Sequence, residues 1–114
     1  MSYRNLAEMI EERAGEEPIL SAVIGNLDGC YDEAAQSWQR SLSPIVGKVL
    51  AWQAARPLLD RKIDTDFGGT DGPPVYAWTA TRVLFVAEYD GSQYIAHVPR
   101  NPCGCVPVFS GSDE

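Results

Sequence analysis

Apolar and polar positions follow two different periods along this chain, and the change of period divides it into two halves. In the first half the apolar residues recur at helical spacing. Leu6, Met9 and Ile10 form a stripe backed by Glu8, Glu11 and Glu12, which predicts a helix over 5–14. Asn5 with Glu8 three residues on has capping-box spacing, and Gly15 is a natural stop. Ala34, Ala35, Trp38 and Leu42 share one face of a second helix over 31–42. Ile45, Val49 and Trp52 recur at i, i+4 and i+7 in a third, over 44–56. Ser43-Pro44 supplies its cap and first-turn proline, and Pro57 ends it, because a proline disfavours helical geometry in the residue before it. The apolar run Ile19 to Ile24 is too short for periodicity to separate helix from buried strand. Pro18 suits a first helical position and the β-branched residues suit a short buried strand equally, and the reading leans only slightly to helix.

Past residue 63 the period becomes two. Asp64 to Pro74 is rich in turn residues and reads as loop. Strands are predicted over 75–79, 82–89 and 93–98, and Asp90-Gly91 between the last two signals a β-hairpin. Val83 to Val86 are apolar at consecutive positions, the mark of a central strand covered on both faces. Pro99 to Pro102 ends or turns the sheet, residues 106–109 suit a short edge strand, and 110–114 read as a polar tail. The expected fold is α+β: a helical N-terminal half packed on a C-terminal antiparallel β-meander of three to four strands. One domain over 1–109 accounts for it.

Composition agrees with one core. The chain has 114 residues, 45% of them hydrophobic, in the range of a single globular domain. A net charge of −7 argues against a nucleic-acid partner, because backbone affinity comes from Lys and Arg displacing counterions. Charge is uneven: residues 1–35 hold eight acids and two bases, whereas 36–62 hold five bases and one acid. The middle segment is expected to form a modest basic stripe on a solvated surface. No apolar run approaches the roughly 18 residues of a membrane helix, and the N-terminus lacks an apolar signal segment, so a cytoplasmic protein with no membrane partner is expected. An odd cysteine count in that compartment suits free thiols.

Two groups of residues could carry chemistry or recognition. Cys103 and Cys105 follow His97, the sole histidine, by six and eight residues, and Cys30 would complete a three-thiol, one-imidazole zinc site. The same His97 could draw the proton from a thiol nucleophile. The acidic loop holding Asp64, Asp66 and Asp71 is no EF-hand, because Val75 stands where the bidentate Glu is required. Phosphate-binding, nucleophile-elbow and metalloprotease motifs are all missing. The second group is aromatic. Tyr76 and Trp78 are two apart on a strand, Tyr89 and Tyr94 flank the hairpin turn, and Arg82 and Arg100 lie near them. Tyr, Trp and Arg dominate protein interfaces. The leading expectation is therefore a non-enzymatic interaction module needing no cofactor: an adaptor, or an inhibitor of a larger assembly in the manner of anti-CRISPR proteins, with homodimerisation an open route. The alternative is a zinc- or cysteine-dependent protein centred on His97, Cys103 and Cys105.

Overall fold

The computed structural model describes residues 3–27, 33–65, 72–89 and 92–112. In chain order these form β1 (Tyr3–Asn5), α1 (Leu6–Ala14), β2 (Ser21–Ile24), α2 (Glu33–Leu42), β3 (Leu50–Ala51), α3 (Trp52–Leu59), β4 (Lys62–Asp64), β5 (Val75–Trp78), β6 (Arg82–Tyr89), β7 (Ser92–Pro99), β8 (Pro107–Val108) and β9 (Gly111–Ser112). The fold mixes helices with one large sheet of order β3-β2-β5-β6-β7-β9-β8, and β1 with β4 makes a separate antiparallel pair. The antiparallel run β5-β6-β7 forms its centre. Helix α1 starts as its residues dictate. The Asn5 side chain accepts a hydrogen bond from the Glu8 amide at 3.0 Å, and Gly15, at φ 67°, closes the far end on the carbonyls of Glu11 and Glu12.

The sheet overrides several expectations. Residues 19–24, open between helix and strand with a slight lean to helix, form a strand over Ser21–Ile24, held between β3 and β5. Its alternating half-buried and buried positions place Ala22 and Ile24 in the core. The expected helix over 44–56 is broken. Ser43–Ile45 makes a single 3-10 turn, and Gly47, at φ 78°, swings the chain so that its amide donates to the Ile24 carbonyl at 3.0 Å. Leu50 and Ala51 then pair with β2, and α3 begins only at Trp52. Sheet hydrogen bonds win there over helical periodicity. Helix α3 also continues through Pro57 to Leu59, beyond the expected stop. A proline removes one helical N–H, a tolerable loss in a two-turn helix that buries Ala55 and Leu59 completely. The N-terminal half thus supplies strands as well as helices, and the sheet is wider than a three- to four-stranded meander.

The C-terminal end differs too. Residues 110–112, expected in a polar tail, include a strand: Gly111 runs parallel beside His97 and antiparallel to Val108, so β9 lies between β7 and β8. The Asp90-Gly91 turn lies outside the described residues, though β6 and β7 pair from Arg82↔Pro99 up to Tyr89↔Ser92.

A single apolar core fills the space between the helices and one face of the sheet. Leu6, Met9 and Ile10 of α1, Trp38 and Leu42 of α2, and Ala55 and Leu59 of α3 meet Ile24, Val75, Ala77, Leu84 and Ile95. Trp38 satisfies its indole N–H on the Leu58 carbonyl at 2.9 Å, with the Arg61 guanidinium 4.9 Å from its ring. No helix among the described residues is long and apolar enough to cross a membrane.

Candidate functional site

The register separates the residues of the sheet into two faces. Strand side chains alternate, and directly paired residues share a face. Ala22, Ala77 and Leu84 lie in one cross-strand row on the core side, as do Ile24 and Val75. The opposite face carries the row Ser21, Trp78, Val83, Val98, the row Val23, Tyr76, Phe85, Ala96, and the pair Ala87, Tyr94. None of these residues belongs to the core cluster. Tyr76 is 58% exposed, Val23, Trp78, Val83, Phe85, Tyr94 and Val98 are half-buried, and Ala96 is buried. Tyr76 and Trp78 meet edge to face at 6.1 Å. No position in these rows is charged. In a chain of net charge −7, four strands therefore present an uncharged, largely apolar face that no described helix covers.

This placement alters the expectation for β6. Val83 to Val86 read as a strand covered on both faces, yet only Leu84 and Val86 turn into the core, while Val83 and Phe85 face outward. The strand is central in the sheet but covered on one side. A run of consecutive apolar residues does not by itself say that the chain's own core covers both faces.

The aromatic group expected to bind a partner divides accordingly. Tyr76, Trp78 and Tyr94 share the open face, whereas nothing is described of the Tyr89 side chain. The arginines are engaged within the fold. Arg82 donates to the carbonyl oxygens of Ala14 at 2.7 Å and Arg13 at 3.2 Å, and its Nε lies 3.3 Å from Glu17 Oε1. It ties β6 to the C-terminal end of α1, where the carbonyls lack helical donors. Arg100 donates to the Thr79 carbonyl at 3.0 Å and pins the β5–β6 turn. Both guanidiniums thus turn to backbone carbonyls, and Arg82 occupies an inward position of β6, away from the face of Tyr76 and Trp78. Glu17 receives hydroxyl hydrogen bonds from Thr79 and Thr81, then Arg82, which together hold its carboxyl below the ordinary value. Glu11 is held low in the same way by Arg56, which approaches it at 2.8 and 3.1 Å, with the Trp52 indole at 3.1 Å.

The thiol group is partly assembled. His97, Cys103 and Cys105 line one cavity of about 590 Å³ together with Glu17, Arg82 and Ser112. His97 is buried, Cys105 half-buried and Cys103 exposed. Ser112 Oγ stands 3.4 Å from His97 Nδ1. Among the described residues no three His, Cys, Asp or Glu side chains are grouped to hold a metal ion, and Cys30 lies outside those residues. Sequence reasoning named Tyr76, Trp78 and Tyr94 but not the face they share. Its signal was present: positions 76, 78, 83, 85, 94, 96 and 98 carry no charge. No protein-family model, curated protein or solved structure matches the chain.

Proposed function

We propose that the chain is a non-enzymatic interaction module that docks a protein surface against the open face of its sheet. The observation that carries this reading is the uncharged four-strand face, with Tyr76 and Trp78 at its exposed centre and every described helix on the other side. Large aromatics that lose little side-chain freedom on binding are the usual anchors of such interfaces. Acidic recognition of a basic channel has less support. Glu11, Glu12 and Glu17 are engaged by Arg56, Arg4 and Arg82 of the same chain. Tyr76→Lys places a charge at the centre of the face without touching the core. It should weaken capture of the bound protein about tenfold or more while leaving the far-ultraviolet circular dichroism unchanged. Equal capture by both proteins would refute the assignment of the face.

A second reading is favoured by the cavity that His97, Cys103 and Cys105 share: a thiol-imidazole site for a soft metal such as zinc. It requires the exposed Cys103 to turn inward. Zinc added to the reduced protein should then bind at one equivalent and be lost in the Cys103→Ser, Cys105→Ser double variant. Binding below stoichiometry, or unchanged in the variant, removes this reading.

A further inference from the structure

Resting on the docking reading, we infer that the occupant of the open face is a second copy of this chain, packed sheet on sheet about a two-fold axis. The charge distribution selects this partner. A heterologous partner is ordinarily steered and discriminated by complementary charge, and the rows through Tyr76 and Trp78 offer none. Homodimer interfaces are the apolar class, resembling a domain core cut in two.

The remaining charge also suits this arrangement. Each chain carries −7, and residues 1–35 hold eight of its sixteen acids. Helix α1, with Glu8, Glu11 and Glu12, lies on the core side of the sheet against β6 and β7. Packing the open faces about 10 Å apart puts two sheets between the two copies of α1. Their axes are then roughly 30 Å apart, well beyond the Debye length of about 10 Å at 0.1 M salt. Self-repulsion is therefore screened in this orientation, whereas helix-to-helix association would bring the acids together.

The relief of the face is self-complementary as well. From β5 to β7 one row falls in size from Tyr76 through Phe85 to Ala96, and Ala87 lies beside Tyr94. A two-fold copy can set large side chains over small ones, as aligned sheets do when they interdigitate. The consecutive apolar positions of β6 are then covered on both sides: Leu84 and Val86 by the chain's own helices, Val83 and Phe85 by the second copy.

Sedimentation equilibrium of the full chain tests this. The wild type should run at twice the 12.5 kDa chain mass, and raising salt should not dissociate it. Tyr76→Lys and Val98→Lys should each run as folded monomers, with association weakened about tenfold or more. Val98 is half-buried, so a lysine there also tests folding; intermolecular ring contacts between isotope-labelled and unlabelled wild-type chains provide a variant-free readout at Tyr76 and Phe85. A wild type that stays monomeric at about 100 μM overturns the self-association. So does a dimer that survives both substitutions and lacks those contacts. If the monomer still captures another protein and Tyr76→Lys does not, the docking reading stands with a different occupant. If neither association occurs, both fall.

Discussion

At the scale of single residues, the arginines and glutamates around α1 illustrate how local chemistry becomes stability. Glu11 and Glu17 are held below the ordinary glutamate value of 4.5, Glu11 mainly by Arg56 and Glu17 mainly by Thr79 and Thr81. A carboxylate whose folded pKa is lowered stabilises the protein fully above the unfolded value. That contribution is lost as pH falls through the folded one. Through these groups the melting temperature of the wild type should not vary with pH near pH 7, and it should fall below about pH 4.5. Glu11→Gln should melt lower at neutral pH and show a shallower decline into acid; an identical decline would remove Glu11 from the linkage. Arg82 offers a separate test. Its guanidinium meets two helix-end carbonyls and Glu17, so Arg82→Ala should lower unfolding free energy by about 1.5–3 kcal/mol, read from urea denaturation. A change below a few tenths would show that water replaces it without cost.

At the scale of elements, two glycines with positive φ end or join segments for different reasons. Gly15 closes α1 in open space, with no atom near a would-be Cβ, so Gly15→Ala should cost the backbone strain alone, about 1–3 kcal/mol at φ 67° and ψ −126°. Gly111 lies in β9, where a Cβ would fall 2.0 Å from the His97 carbonyl oxygen. Backbone cannot yield there, so Gly111→Ala should release β9 from β7. Amide exchange at Ser112 and His97 should accelerate in that variant while exchange in β5 and β6 holds. Uniform acceleration across the sheet would mean that β9 is integral to the core. The same elements show where sequence periodicity was sufficient. Helix α1 was legible from Asn5 to Gly15 because its cap, stripe and stop agree and nothing competes. Residues 19–24 and 44–51 were not, because their hydrogen bonds go to partners far away in sequence: Leu20 to Trp78, Gly47 to Ile24, and Trp52 to Leu20.

At the scale of the whole molecule, the described helices lie on one side of the sheet, and the docking proposal assigns the other side to another protein. If a second copy covers it, the midpoint of thermal unfolding should rise with protein concentration, since association draws on the folded state alone. In Tyr76→Lys the midpoint should be independent of concentration. Parallel melts of both proteins over a hundredfold range would settle the matter. The sequence by itself determined the mixed α+β class, helix α1, the β5-β6-β7 meander and the apolar character of β6, because each rests on local spacing and turn chemistry. Tertiary structure alone decided that Arg82 and Arg100 bond to backbone carbonyls of the fold, that His97, Cys103 and Cys105 line one cavity, and that β9 enters the sheet. It also decided that Val83 and Phe85 face away from the core. The physical reason is common to all four. A side chain's apolarity or charge is written in the chain, but its partner is set by which strands pair and on which face the helices settle.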